Sequence, residues 1–236
     1  MNNFKDLYKR KLIPLDKMPD LLQSDTDVIV AQCASEPQGC MSVFHLAKDR
    51  VRDVKVFSVL TLKPYDFYMK PEMKGHFELC SWFHAPGSRK ALKEKTGTVT
   101  YVPNMLHRAA SDRMKVRRPH MFVGTCTPPD EKGFVSLSLG LTYEKDILEA
   151  AEISVLEVND QLPRTLGDTQ VHISDVSYFV EYSQMPPTLP EPVPDEVAMA
   201  IGINISNLVE DGSTIQLGIG EIPNAAALML KDKKDL

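Results

Sequence analysis

The sequence has no apolar run near the roughly 20 residues needed to span a bilayer. Its opening stretch, MNNFKDLYKRKLIPLDK, is polar and charged, with no signal-peptide core. Basic residues are not in excess: 27 Lys and Arg face 32 Asp and Glu, a net charge of −5. That balance argues against nucleic acid as a partner, because neutralising phosphates demands a basic surface. The four cysteines (Cys33, Cys40, Cys80, Cys126) show no C-x-x-C spacing, and the six histidines show no metal-ligand spacing. The reading is reduced thiols, no structural metal, no membrane and a cytoplasmic location. The lone tryptophan, Trp82, is expected to fill the core. What remains is an ordinary globular composition, and 236 residues can bury a sizeable core in one domain or one and a half.

Strand signals alternate with helix signals along most of the chain. Residues 4–24 read as helical pieces broken by Pro14 and Pro19. Residues 27–33, rich in β-branched side chains and nearly continuous in apolar character, read as a fully buried strand. A small-residue turn with a proline, 34–39, leads into a helix over about 40–50. Further strands are predicted at 54–62, 77–83, 98–102, 121–126, 153–158 and 178–182, with helices at 87–95 and 143–151. The alternation indicates an α/β protein: an open, mainly parallel sheet covered by helices on both faces.

Residues 185–194 hold five prolines and read as an extended, polyproline-like linker between an N-terminal domain (1–184) and a second segment (195–236). Past the linker, Asp195 can cap a helix whose apolar positions Val197, Ile201, Ile205 and Leu208 keep helical spacing. Gly212 ends it. The expectation for 195–236 is a second α/β domain that is opened and not finished.

The stretch TIQLGIGEIPNAA (214–226) then carries the sharpest local signal. An apolar run stops at Gly218 and Gly220, and a helix-like segment begins at Pro223, which reads as strand, tight turn and helix. Glycines at such a turn let the backbone approach a ligand closely. Pro223 suits a first helical turn, and the free N–H groups there suit a phosphate, a carboxylate or an oxyanion. Pro223 stands where the third glycine of G-x-G-x-x-G belongs, so this is not a dinucleotide fingerprint.

Glu36 and Glu221 each follow a predicted strand, where sheets of this class place ligands, and either can be a nucleophile or a capping, solvent-facing carboxylate. Gln38 either hydrogen-bonds a substrate carboxylate or ties its own turn together. Arg108, Arg113, Lys115, Arg117 and Arg118 form the only basic cluster, read as a solvated turn with phosphate contact as the alternative. Arg164 and Asp168 are expected to pair within the fold, and His172 to be a hydrogen-bonded core or interface histidine.

The 214–226 stretch resembles the GxGxxPNA signature of the acetyl-CoA hydrolase/transferase family, which includes 4-hydroxybutyrate and butyrate–acetate CoA-transferases. Four other segments agree in order. Glu36, Pro37 and Gln38 resemble the family's GEPQ turn, with Ser35 in place of the glycine; TPPDEKGFVS (127–136) resembles SPPDxxGYVS; VNDQLPRTLGD (158–168) and VHIS (171–174) resemble VNxxMPRTxGD and VHxS.

The resemblance implies two open α/β domains, Rossmann-like in the N-terminal part, with the active site between them, and acyl exchange by a ping-pong route. A glutamate carboxylate attacks an acyl-CoA thioester, giving an acyl-glutamyl anhydride and CoA thiolate. The thiolate then attacks the anhydride, giving a glutamyl-CoA thioester and the free carboxylate, and a second carboxylate accepts the CoA. A carboxylate nucleophile must be desolvated and aimed, and the tetrahedral oxyanions need fixed donors, each worth roughly 2.7–4 kcal/mol. By motif position one donor is the backbone N–H of Ile222. Glu36, Pro37, Gln38, Gly218, Gly220, Pro223 and Asn224 take the substrate-binding positions. CoA and acyl-CoA are substrates, and no cofactor is permanently bound.

The chain departs from the family in one respect: no residue matches the catalytic glutamate, which in the family lies after the GxGxxPNA helix. The expectation is a chain inactive alone, working as a homodimer or with a partner chain that carries the second domain. The alternatives are an acetyl-CoA hydrolase, since water can intercept the same intermediates, and a non-catalytic half-subunit or CoA-binding module. A nicotinamide-dependent dehydrogenase is disfavoured by the missing third glycine.

Overall fold

The structure is a computed structural model that describes residues 4–188 and 193–236. Residues 189–192, within the proline-rich linker read above, lie outside the described residues. The chain divides into two compact units, Met1–Pro187 and Thr188–Leu236.

In the first unit nine strands form: β1 Asp27–Val30, β2 Val54–Ser58, β3 Phe77–Ser81, β4 Val99–Tyr101, β5 Met121–Cys126, β6 Phe134–Ser136, β7 Ile153–Val158, β8 Gln170–His172 and β9 Tyr178–Glu181. Seven of them make one sheet in the order β4-β3-β2-β1-β5-β7-β9, and every pairing in it is parallel. The α/β reading therefore holds, and β5 and β7 occupy the predicted ranges. Six helices accompany the strands: α1 Phe4–Lys11, α2 Gln38–Val43, α3 Asp66–Met69, α4 Pro86–Lys93, α5 Ala109–Val116 and α6 Glu144–Ala150.

Alternation along each strand sends successive side chains to opposite faces, and the core divides accordingly. Val28, Val30, Val56, Leu79 and Val123 face one side with Cys40 and Met41 of α2, Phe67 and Tyr68 of α3 and Ala91 of α4. Ile29, Phe57, Phe122, Leu156 and Phe179 face the other with Ala109 and Ala110 of α5, Ile147 and Leu148 of α6, and the apolar stripe of α1. This change of face has a topological cause. Crossovers keep one hand, so when the chain reverses direction from β4 back to β5 its helices must cover the opposite face. The reversal places β1 beside β5, and such a switch point opens a crevice at the carboxyl ends of the strands.

Two sequence expectations need correction, and one element was not anticipated. Residues 109–116 form α5 rather than a solvated turn; only two alanines anchor it in the core, so its apolar periodicity is faint. The β6–β8 ribbon, antiparallel and three residues per strand, is too short to show an alternating pattern in the sequence. The helix after β1 starts at Gln38 and passes after Val43 into a 3₁₀ turn, Phe44–Ala47.

In the second unit, α7 Glu196–Ser206 packs against α8 Glu221–Met229. Asp195 caps α7, its Oδ1 accepting the Ala198 N–H at 2.7 Å. The helices approach so closely at Gly202 that an added Cβ would lie 2.8 Å from the Ala225 carbonyl carbon. Thr214 to Leu217, read as a strand from its apolar run, is not one in this structure. A strand needs a hydrogen-bonded neighbour, and the described residues of this unit include only helices and connecting chain. Ile215, Leu217 and Ile219 are exposed, Ile219 fully. Among the described residues no helix is long and apolar enough to cross a membrane.

Candidate functional site

The turn after β1 is built by a few residues with strong local preferences. Cys33 takes a left-handed conformation (φ +54°) and starts a 3₁₀ turn over Cys33–Ser35. Pro37 restricts its predecessor to extended backbone, and Glu36 is extended at φ −62°, ψ 132°. Glu36 is buried and points inward. Its Oε2 accepts the Leu62 N–H at 2.8 Å, and its Oε1 accepts the Tyr65 hydroxyl proton at 2.8 Å. Burial pushes its pKa up, against these two bonds and the nearby Lys63. The carboxylate thus ties the turn after β1 to the loop after β2, and it is neither solvent-facing nor a helix cap.

Pro37 and Gln38 are also buried. The Gln38 Nε2 lies 3.5 Å from the Met185 carbonyl, while its Oε1 is buried with no partner among the described residues. An amide so placed has hydrogen-bonding capacity in reserve.

Beside this turn, a cavity of about 340 Å³ opens at the carboxyl ends of β1 to β4. Gln32 and Cys33 follow β1, Val59 and Leu60 follow β2, Trp82 and Phe83 follow β3, and Asn104, Met105 and Leu106 follow β4. The wall is largely apolar with two carboxamides, the character of a small-molecule site at strand ends. Trp82 is buried as expected, edge-on to Tyr143, and it also lines this cavity. A larger space of about 550 Å³ lies between α1 and residues 129–131. Neither space is lined by Glu36, Pro37 or Gln38.

Two buried glutamates that the sequence reading passed over support the same edge. Glu144 accepts the Thr142 and Tyr143 N–H groups at 2.6 and 2.9 Å, and the Gln32 N–H at 3.5 Å. Glu157, at the end of β7, accepts the Cys40 N–H at 2.8 Å. Desolvation raises the Glu157 pKa to about 7, opposed by the N–H groups of Cys40, Gly39 and Gln38 and by the Cys40 thiol. Burial pushes the thiols of Cys40 and Cys126 upward, and the Glu157 carboxylate adds to the shift. The available signal was a single charge inside the apolar run ISVLEV (153–158).

A raised folded-state pKa on an acid favours its neutral form. The associated stability is therefore fully present below the unfolded value near 4.5 and is lost as pH rises through about 7. The stability difference between the wild-type chain and Glu157→Gln should fall by on the order of 3 kcal/mol between pH 4.5 and 7.5. Urea titrations across that range check it, and a flat difference would count against the raised pKa of Glu157.

The remaining signature segments bind one another. Asp130 Oδ1 accepts the Lys132 and Phe134 N–H groups at 2.9 and 2.8 Å, and its Oδ2 accepts from Arg164 at 2.9 Å. Arg164 also donates to the Phe134 carbonyl at 3.1 Å. Asp168 pairs with Lys145, and His172 hydrogen-bonds Ser174. The basic cluster is likewise engaged: Arg113 and Arg117 pair with buried Asp27, Arg108 and Lys115 with Asp112, and Arg118 donates to the Ala150 carbonyl at 2.7 Å.

In the second unit the glycine turn adopts a conformation that its sequence permits. Gly220, at φ 149° and ψ 173°, caps α8 in a region closed to side chains, whereas Gly218 has no positive φ. α8 begins at Glu221, so Pro223 falls within its first turn, where its missing N–H costs nothing. Ile222 N–H, in the same turn, has no acceptor within the helix, and Ile222 is exposed while Asn224 is half-buried. Glu221 Oε1 accepts the Asp195 N–H at 2.8 Å and so joins the starts of the two helices.

The acetyl-CoA hydrolase/transferase N-terminal domain family matches residues 1–190. The chain is 32% identical over 234 residues to a 4-hydroxybutyrate coenzyme A transferase of Clostridium kluyveri, covering 99% of this chain and 54% of that protein. It is 34% identical over 200 residues to a succinyl-CoA:acetate/propanoyl-CoA:succinate CoA transferase of Fasciola hepatica, covering 81% of this chain and 40% of that one. Among solved structures, RipA from Yersinia pestis superposes with a TM-score of 0.92 at 27% identity, over 99% of this chain and 56% of its own. The chain spans about half the length, or less, of the curated relatives it matches.

Proposed function

Because the chain belongs to the acetyl-CoA hydrolase/transferase family, we propose that it serves CoA transfer between an acyl-CoA and a short-chain carboxylate of the acetate, butyrate or 4-hydroxybutyrate type. The observation that carries this reading is the apolar cavity of about 340 Å³ at the strand ends, which the turn after β1 enters through Gln32 and Cys33. Its walls suit a short acyl chain. Gln38, whose Nε2 can donate to a carboxylate oxygen, is the polar group assigned to the substrate, while Glu36 and Pro37 shape the turn. In the second unit Gly218, Gly220, Pro223 and Asn224 form the ligand-facing turn, and the Ile222 N–H is the oxyanion donor.

The reaction runs through a glutamyl-CoA thioester, and its nucleophile comes from outside these 236 residues. Two observations support that step. Both Glu36 oxygens are engaged inside the fold, and Glu221 is engaged with Asp195. The proposal keeps 185–194 as the linker between domains at 1–184 and 195–236, and takes a homodimer or a partner chain as the working assembly in the cytoplasm.

Trp82 provides the test. It is the only tryptophan and lines the cavity, so titration with butyryl-CoA should change its fluorescence saturably, and Leu106→Asp should abolish the change. No response to millimolar butyryl-CoA would overturn the assignment of the cavity. CoA exchange from acetyl-CoA to butyrate, followed by borohydride trapping, should give no glutamyl adduct on this chain alone. An adduct on Glu36 or Glu221 would overturn the external nucleophile, and CoA release without an acceptor would favour hydrolysis.

A further inference from the structure

Three segments meet at the start of α2: α2 itself, the end of β7 with the residue that follows it, and 182–185. Glu157 lies at the carboxyl end of β7, and Asn159 follows the strand directly. Glu157 accepts the Cys40 N–H at 2.8 Å, beneath the first turn of α2. Asn159 Nδ2 donates to the Gln184 carbonyl at 2.6 Å, and its Oδ1 accepts the Gln184 N–H at 3.2 Å. Gln38 begins α2, and its Nε2 points at the carbonyl of Met185, the residue after Gln184. Between them, Gly39 packs on Tyr182 so tightly that an added Cβ would lie 2.5 Å from the ring. The turn after β1 and the 182–185 segment thus close on each other, and each is pinned by one side chain from the same strand end. Glu157 is 1% exposed, and a buried carboxylate is retained only where it is hydrogen-bonded. Here its partner is the backbone of the signature turn.

We propose that Glu157 is a positioning residue for Gln38, holding the start of α2 from β7 so that the Gln38 amide faces the substrate carboxylate. This rests on the reading of Gln38 as a carboxylate-binding residue. Loss of the carboxylate frees the first turn of α2 while the sheet, whose core lies elsewhere, stays closed.

The buried thiols supply a built-in reporter. Cys40 lies in the first turn of α2, whereas Cys80 and Cys126 lie in β3 and β5. Reaction of the full chain with a disulfide reagent, resolved by mass spectrometry, should be at least about tenfold faster at Cys40 in Glu157→Ala than in the wild type. Glu157→Gln, which keeps one acceptor oxygen, should lie between them, and Cys80, in β3, should be unchanged. Equal acceleration of Cys40 and Cys80, or none at Cys40, would overturn the proposal. If the alanine variant does not fold, the glutamine variant decides by the same selectivity.

A second measurement reads the site itself. The ¹⁵N-labelled Gln38 side-chain amide, assigned by its loss in Gln38→Ala, is titrated with acetate. The expected result is a saturable shift in the wild type, about tenfold weaker in apparent affinity in Glu157→Ala and partly restored in Glu157→Gln. No shift in the wild type defeats the carboxylate reading of Gln38. A wild-type shift that Glu157→Ala leaves intact defeats the positioning role alone.

Discussion

Replacing Glu36 with alanine should destabilise the first unit by about 3 kcal/mol, because it strands two buried donors at roughly 1–3 kcal/mol each. The Leu62 N–H and the Tyr65 hydroxyl both end on this carboxylate at 2.8 Å. For a chain of this size, that corresponds to a fall in melting temperature of about 10 °C. Glu36→Gln should cost only about 1 kcal/mol: one oxygen remains for the Leu62 N–H, and the Tyr65 hydroxyl can rotate to accept from the new amide. Thermal unfolding followed by circular dichroism measures both. A nucleophile would behave in the opposite way, losing its covalent adduct in the glutamine variant with stability intact. An unchanged melting temperature in Glu36→Ala would sink the clamp and return Glu36 to the list of candidate nucleophiles.

The largest single effect is expected at Asp27, at the start of β1. Asp27 is 2% exposed and ion-paired with Arg113, whose guanidinium carbon sits 4.4 Å from the centroid of the Phe57 ring. Removing one member of a buried pair leaves the other charge without compensation, at about 3–5 kcal/mol. Asp27→Ala should reach that range, since among the described residues Arg113 has no other carboxylate in reach. Arg113→Ala should cost less, because Arg117, already 3.8 Å from Asp27, can close on it. Urea unfolding of both single variants and the double variant gives the coupling directly. If the double variant costs the sum of the singles, the pair contributes nothing, and the central strand is held by burial alone.

Some of this could be read from residue order. β5 and β7 matched their predicted bounds because runs such as ISVLEV combine β-branched residues with flanking turn signals, and fully buried parallel strands need little else. The alternation of elements indicated the parallel sheet, and the five signature segments indicated the family. The glycine turn was legible too: Gly220 occupies backbone space that excludes a side chain, a property of the residue itself.

What the sequence could not reveal was which groups meet across long separations. Glu36 reads as a free carboxylate on a turn until Leu62 and Tyr65 arrive from 26 and 29 residues away. Arg113 and Arg117 read as a basic surface until the β1–β5 pairing carries Asp27 to them. The same limit produced the error at Thr214 to Leu217. The alternating apolar pattern there is a strand's, but strand formation depends on a neighbour to receive its hydrogen bonds, and none is present among the described residues of that unit. Local preference is a property of a few consecutive residues, and the sequence alone determined it here: strand runs, capping residues, the glycine turn and the family. The state of a charge and the pairing of a strand depend on groups that folding brings from elsewhere, so only the tertiary structure decided them.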